Sequence, residues 1–125
     1  MGGTGLIVVQ VAGIHETARY TSHVMMATDD SCIPGYRALA AAVKPHGTAL
    51  FGQLFHPGRE VMDLADGTLT VAVAPSAVPT ERFRVMPRPL RLAEIREIAD
   101  GYGRSAERLQ RAGLDGVEEI GRAHV

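Results

Sequence analysis

Two short segments are apolar on both faces, and they constrain the fold of this chain more than any other feature. Leu6–Ile14 (LIVVQVAGI) and Thr48–Phe55 (TALFGQLF) are mostly apolar, without a regular alternation of polar and apolar residues. Continuous hydrophobicity is typical of parallel strands that are covered on both sides. Between them, Pro34–His46 carries a helical apolar stripe and is followed by Gly47, a common helix terminator. Strand, helix and strand with short joins predict a βαβ unit.

The second half of the chain predicts one more helix and one more strand after a long connection. The connection, residues 56–89, is rich in proline and has little helical periodicity, with a short strand predicted over Leu69–Ala74. Leu90–Ala112 has apolar residues at spacings of three and four, and Asp115–Glu118 begins a third strand. Three parallel strands leave sheet edges open, whereas a closed barrel needs eight strands and roughly 250 residues. We therefore expect part of an α/β barrel, with a small open α/β sheet as the alternative.

Composition and charge argue against several classes of function. The chain has 125 residues, is 46% hydrophobic and 22% charged, and has a net charge of −1. A nucleic-acid or anionic-membrane partner would need a basic surface, so neither is expected. Apolar runs such as Leu6–Val9 are far shorter than the roughly 20 residues that span a bilayer. Cys32 is the single cysteine, which excludes an internal disulfide, and no secretory signal is visible, so we expect a cytoplasmic location.

The segment Phe51–Arg59 (FGQLFHPGR) contains the main candidate binding residues. Gln53 lies between two aromatic residues on one face of the predicted strand, where a carboxamide needs a hydrogen-bonding partner. Its donor and acceptor match the edge of a flavin pyrimidine ring, and a bond to nearby backbone is the alternative. His56 and Arg59 follow at the strand end where parallel barrels build active sites. Arg59 either binds a phosphate or reduced flavin, or ties the loop down through carbonyl groups.

Other motifs carry weaker signals. His15, Glu16 and Arg19 follow the first strand and belong either to a pocket or to a solvated loop, which is the preferred interpretation. Residues 2–5 (GGTG) precede a strand, whereas a phosphate loop follows one. Gly101–Ala106 (GYGRSA) fits a dinucleotide fingerprint only formally, because it lies inside a helical period. The spacing of histidine and cysteine predicts no metal site.

Five stretches, in this order and spacing, resemble the Old Yellow Enzyme family of NADH:flavin oxidoreductases, which includes dienoyl-CoA-reductase-like members. They are Gly2–Val8, Ile33–Gly47, Phe51–Arg59, Ala74–Pro79 and Gly113–Glu118. The resemblance implies that this α/β chain is a fragment, about strands 2 to 4, of a (β/α)8 TIM barrel that binds FMN. In such a barrel NAD(P)H reduces the flavin, and the flavin passes hydride to a small-molecule substrate such as an activated alkene.

The resemblance also implies roles for individual residues. Gln53 matches the family's glutamine that bonds the flavin pyrimidine edge. Val11 matches a position, usually Gly or Ala, whose backbone touches the flavin. His56 and Arg59 match the motif in a supporting role. The family's histidine pair lies beyond Glu118, where the sequence EIGRAHV does not match it, so the catalytic residues stay unknown.

The domain boundaries follow from the same resemblance. Residues 1–118 are expected to be a partial oxidoreductase barrel, and residues 119–125 a foreign tail, because EIGRAHV matches a translated DNA-sequencing adapter. A divergent native strand end is the alternative. A chain of this length is expected to be inactive alone. Two other interpretations stay open: a small partner-binding α/β protein that covers its strand edges by oligomerising, and a different barrel enzyme. No oligomeric state is predicted.

Overall fold

The structure is a computed structural model that describes residues 3–62 and 71–121. In chain order its elements are β1 (Leu6–Gly13), β2 (Met25–Met26), α1 (Ile33–Val43), β3 (Ala49–His56), β4 (Val73–Ala74), β5 (Arg88–Pro89), α2 (Leu92–Arg111) and β6 (Gly116–Gly121). Short 3₁₀ turns cover Glu16–Ala18, Asp30–Cys32 and Lys44–His46. Each predicted helix and long strand is present with its ends shifted by a few residues. Part of the strand predicted over Leu69–Ala74 lies outside the described residues, and Val73–Ala74 forms β4.

The main sheet contains four parallel strands in the order β2-β1-β3-β6, and β4 and β5 form a separate parallel pair. The three predicted strands are therefore neighbours in one parallel sheet. The prediction of three strands in this sheet was wrong by one: β2 adds a short fourth strand beside Ala12 and Gly13 of β1. Two residues are too few to produce a periodic signal, which is why β2 could not be predicted from the sequence.

One hydrophobic core lies between the sheet and both helices. Leu50 and Leu54 of β3 are almost completely buried, as is Leu109 of α2. The other members of the cluster are Ala12, Ile14, Ala27, Ile33, Tyr36, Ala40, Ala112 and Leu114. Because α1 and α2 contribute to the same cluster, they cover the same face of the sheet. Helices on one face are the arrangement of a barrel wall, whereas a doubly wound open sheet has helices on both faces.

Helix α2 approaches the sheet closely at two glycines. A Cβ atom on Gly52 would lie 2.1 Å from Cδ2 of Leu109, and one on Gly101 would lie 2.7 Å from the carbonyl oxygen of Ile14. Gly101 therefore has a packing role in the middle of a continuous helix. The rejection of a dinucleotide fingerprint at Gly101–Ala106 is confirmed by its position within α2.

The outer edge of β1 is only partly covered in the described structure. β2 pairs with Ala12 and Gly13, and the earlier residues of β1 have no strand on that side among residues 3–62 and 71–121. Leu6 is 48% exposed and Ile7 is 38% exposed. Apolar side chains along an open strand edge are expected where a further strand or another chain packs. Neither of the two described α-helices is long and apolar enough to cross a bilayer.

Candidate functional site

A pocket of about 210 Å³ lies on the face of the sheet opposite the helices. Its floor comes from the carboxyl-terminal halves of β1, β3 and β6, and the loop residues 20, 60, 62, 82 and 83 complete its rim. Gln53 and Phe55 point into it because side chains alternate along β3, while Leu54 between them points into the core. The pocket therefore occupies the end of the strands at which parallel barrels carry their active sites.

A β-bulge in β1 brings two consecutive residues to this pocket. The pairing of β1 with β3 is regular up to Val9 opposite Gly52, and it resumes with Ala12 opposite Leu54. Two residues of β1, Gln10 and Val11, therefore lie opposite the single residue Gln53. Such a bulge takes backbone groups out of the regular ladder and is common next to active sites. The predicted site residues Val11 and Gln53 are thus brought together in one pocket.

Gln53 has a side-chain partner across the sheet. The register of β3 with β6 places it beside Glu118, and its Nε2 donates to Glu118 Oε2 at 2.7 Å. The alternative in which Gln53 bonds nearby backbone is therefore not what the structure shows. Among the described residues no protein group donates a hydrogen bond to Gln53 Oε1. The half-buried amide retains an acceptor oxygen at the pocket, with an acidic residue beside its donor.

Aromatic and charged side chains complete the pocket rim. The ring of Tyr20 meets that of Phe55 edge-on, with 5.1 Å between centroids and 65° between planes. Arg82 lies over the ring of Phe83 at 4.8 Å from its centroid. Sequence reasoning missed Gln10, Tyr20 and the residues of the 82–83 loop, because neither a bulge nor an irregular loop leaves a periodic pattern. An aromatic residue soon after a strand end was the one available signal.

His56 lies behind this pocket, on the helix side of β3. It is 7% exposed, its Nε2 lies 2.9 Å from the Thr17 hydroxyl, and its Nδ1 accepts the Gly58 backbone N–H at 3.0 Å. Burial, with a smaller contribution from the nearby His15, lowers the pKa of His56 from 6.5 to about 4. His56 is therefore neutral at physiological pH and does not line the pocket.

Arg59 ties down the long connection that follows β3. Its Nη1 donates to the carbonyl oxygen of Val78 at 2.9 Å, as the alternative interpretation from the sequence described. Within the described residues its Nε is buried without a hydrogen-bonding partner. Glu16 and Arg19 are exposed, in agreement with a solvated loop, whereas His15 is largely covered. Burial is the largest influence on the Cys32 thiol and raises its pKa, which disfavours a reactive thiolate.

The residues of the pocket fit one edge and one face of a planar heteroaromatic ring. Gln53 offers an acceptor oxygen, the bulge at Gln10 and Val11 offers backbone groups outside the regular ladder, and Phe55 offers an apolar contact. In the part of the chain that the structure describes, no three metal-ligating side chains form a cluster.

The fold and the site together define part of a parallel α/β barrel with a ligand pocket at the carboxyl ends of its strands. Comparison with known proteins identifies the family. The family model of the NADH:flavin oxidoreductase / NADH oxidase family matches residues 1–124, and the chain belongs to this family. The resemblance to Old Yellow Enzymes is confirmed, as is the prediction of a TIM-barrel fragment.

Individual relatives show how much of the barrel this chain contains. A metal reductase from Desulforamulus reducens is 38% identical over 122 residues, which are 98% of this chain and 18% of that protein. An NADPH dehydrogenase from Geobacillus thermodenitrificans is 34% identical over 99% of this chain and 35% of its own length. A structure of morphinone reductase in complex with tetrahydroNAD matches with a TM-score of 0.80 and 30% identity, over 91% of this chain and 36% of that one. The chain thus spans about a third or less of these relatives.

Proposed function

We propose that this chain forms part of the flavin-binding wall of an FMN-dependent oxidoreductase that uses NAD(P)H as reductant. The observation that carries the proposal is the β-bulge at Gln10 and Val11 directly opposite Gln53, at the strand ends of a parallel sheet. The family of the chain supports FMN as the ligand of this pocket. Bound FMN would supply the capacity to accept hydride from the nicotinamide and pass it to a small-molecule substrate, such as an activated alkene.

The residues of this chain would bind and orient the ring system. Gln53 would present its amide to the pyrimidine edge, and Glu118 would hold that amide through the 2.7 Å bond from Gln53 Nε2. Val11 would contribute backbone contact, and its side chain adds bulk where the family usually has Gly or Ala. Phe55 and Tyr20 would exclude water from one side of the ring. His56 and Arg59 would support the loops around the pocket rather than contact the ligand.

A matched pair of substitutions tests this proposal in the protein encoded by the complete reading frame that contains the sequence. Gln53→Met keeps the length of the side chain and removes its hydrogen bonds. A lost hydrogen bond to a ligand costs about 1–3 kcal/mol, so we expect FMN affinity to fall roughly 5- to 150-fold by fluorescence titration. Gln110→Met makes the same chemical change on the exposed surface of α2 and is expected to leave FMN affinity unchanged.

Two outcomes of that titration would contradict the proposal. One is unchanged FMN affinity in Gln53→Met, which would show that the amide does not contact the flavin. The other is an equal loss in both variants, which would show a general effect on folding. Measurement of the unfolding midpoint of each apoprotein separates the second outcome from a specific loss of binding.

The exposed edge of β1 also favours a second candidate, in which another copy of the chain covers it. Leu6 and Ile7 lie along that edge and would be buried by either a further barrel strand or a partner molecule. Sedimentation of the isolated 125-residue chain distinguishes these ideas. A folded oligomer with one cooperative unfolding transition supports the partner-binding module, whereas poorly folded or aggregated material supports the barrel segment.

A further inference from the structure

A chain of hydrogen bonds connects two histidines behind the pocket. His56 Nε2 lies 2.9 Å from the Thr17 hydroxyl oxygen, and the same oxygen lies 2.8 Å from His15 Nδ1. Both imidazoles are well covered: His56 is 7% exposed and the side chain of His15 is 12% exposed. We refer to these three residues, His15, Thr17 and His56, as the latch. The latch joins the turn after β1 to the last residue of β3.

Two backbone groups fix the direction of these hydrogen bonds. The N–H of Thr17 donates to His15 Nδ1 at 3.2 Å, and the N–H of Gly58 donates to His56 Nδ1 at 3.0 Å. Each Nδ1 therefore carries a lone pair, and each neutral ring carries its proton on Nε2. It follows that His56 Nε2–H donates to the Thr17 hydroxyl, and the hydroxyl donates to His15 Nδ1. His56 Nε2–H and the Thr17 hydroxyl then each have one acceptor within the latch.

A proton added to His56 breaks this pattern, because the second N–H of the ring would point at the N–H of Gly58. At His15 a second N–H would oppose only the backbone N–H of Thr17, since the Thr17 hydroxyl can rotate and accept. Charged groups of both signs surround His15. Glu97 Oε1 lies 3.6 Å from His15 Nε2, and the remaining charged groups in the surrounding groove are Glu16, Arg19, Arg104 and Arg108.

The surroundings of His56 consistently disfavour a charge there. Its ring centroid is 6.2 Å from that of His15, and the phenol of Tyr102 on α2 donates to the carbonyl oxygen of Ile120 at 2.9 Å. Burial is the larger cause, and the neighbouring imidazole the smaller, of the lowered pKa of His56. Closing the latch and keeping the His56 imidazole neutral are therefore linked.

The latch is connected to the pocket by the turn after β1, which contains Thr17 and precedes Tyr20. The backbone bonds that flank this turn are Ile14 N–H to Phe55 O at 3.3 Å and Met62 N–H to Tyr20 O at 3.4 Å. Between them, the contact of His56 Nε2 with the Thr17 hydroxyl is a side-chain hydrogen bond that joins the turn to β3. Tyr20 follows the turn directly, and its ring packs on Phe55 at the pocket rim.

We propose that His15, Thr17 and His56 are positioning residues that act as a proton-sensitive latch, holding Tyr20 against the pocket rim while the His56 imidazole is neutral. Protonation of His56 turns its Nδ1 into a donor that faces the Gly58 N–H and places a charge in this buried contact, which opens the latch and frees the segment that carries Tyr20. The latch lies outside the pocket and needs no bound ligand to close. Its role can therefore be tested in apoprotein, independently of whether FMN is the ligand.

Hydrogen exchange of the apoprotein from the complete reading frame tests the latch. Thr17→Val removes the hydroxyl and keeps the shape of the side chain, whereas Thr17→Ser keeps the hydroxyl. Thr48→Val is a control that removes a comparable hydrogen bond at the opposite end of β3, where the Thr48 hydroxyl donates to the Thr4 carbonyl oxygen at 2.7 Å. At pH 8 we expect the backbone of residues 15–20 to exchange roughly tenfold faster in Thr17→Val than in the other three proteins. As the pH falls towards 4, the ratio to wild type is expected to approach one, because the wild-type latch opens as well.

Imidazole ¹⁵N spectra of the same protein provide an independent readout. We expect both rings to carry the proton on Nε2 at pH 8 in the wild type and in Thr17→Ser. A proton on Nδ1 of either ring would overturn the proposal, as would equal exchange of residues 15–20 in Thr17→Val and wild type at pH 8. If α1 opens together with residues 15–20 as the pH falls, the change is global unfolding and the latch does not exist as a separate device.

Discussion

The two glycines of α2 provide a matched test of how closely this helix approaches the sheet. Gly101 is buried against the carbonyl oxygen of Ile14, and a Cβ there would lie 2.7 Å from that oxygen and 3.3 Å from Ile14 Cδ1. Gly103 is exposed, and a Cβ there would have no neighbour within 4 Å. Replacing either glycine by alanine gains about 1 kcal/mol in helix propensity. Only at Gly101 must the backbone shift, which costs about 1–3 kcal/mol.

The expected free energies of unfolding follow from these magnitudes. Gly103→Ala is expected to be about 1 kcal/mol more stable than wild type, and Gly101→Ala up to about 2 kcal/mol less stable. Denaturant unfolding followed by circular dichroism, with the same slope in all three proteins, gives the difference directly. The reasoning is refuted if Gly101→Ala is as stable as Gly103→Ala, because α2 could then not lie at the described distance from Ile14.

Two further predictions concern the core and pH. His56 has a folded-state pKa of about 4, below the 6.5 of the unfolded chain, so the unfolded state binds more protons between these values. The contribution of neutral His56 to the free energy of unfolding is therefore fully present above about pH 6.5, and the free energy falls by about 3 kcal/mol as the pH decreases to 4. His56→Gln should flatten this part of a pH–stability profile. An unchanged profile would contradict the assignment. Leu109→Ala should lower the free energy of unfolding by about 2–5 kcal/mol because Leu109 is fully buried. The control Leu92→Ala, at a position that is 73% exposed, should lower it by less than about 0.5 kcal/mol. Similar losses in both variants would mean that the core is misplaced.

The regular elements could be predicted because their residues repeat with a clear period. The strands β1 and β3 and the helix α2 each present an apolar pattern longer than six residues. Their order then led to a parallel sheet. The two-residue strands β2, β4 and β5 could not be predicted in the same way, since two residues define no period.

The site was predictable where a motif marked it and not where packing created it. Gln53 was identified from its position between two aromatic residues, and its place in the pocket agrees with that. Its partner Glu118 depends on the register of β3 with β6, which sequence spacing does not determine. The joint role of His15 and His56 was not foreseen, because 41 positions separate them in the sequence and only the folded turn brings Thr17 between them. The foreign origin of residues 119–125 stays a prediction.

The most direct test of the central claim is anaerobic reduction of the protein encoded by the complete reading frame. The purified protein is supplied with excess FMN, separated from free flavin, and mixed with NADH or NADPH while the visible absorbance of the flavin is recorded. We expect one tightly bound FMN per protein and bleaching of its absorbance by at least one of the two nucleotides. Protein that retains no flavin, or that holds flavin which neither nucleotide reduces, would contradict it.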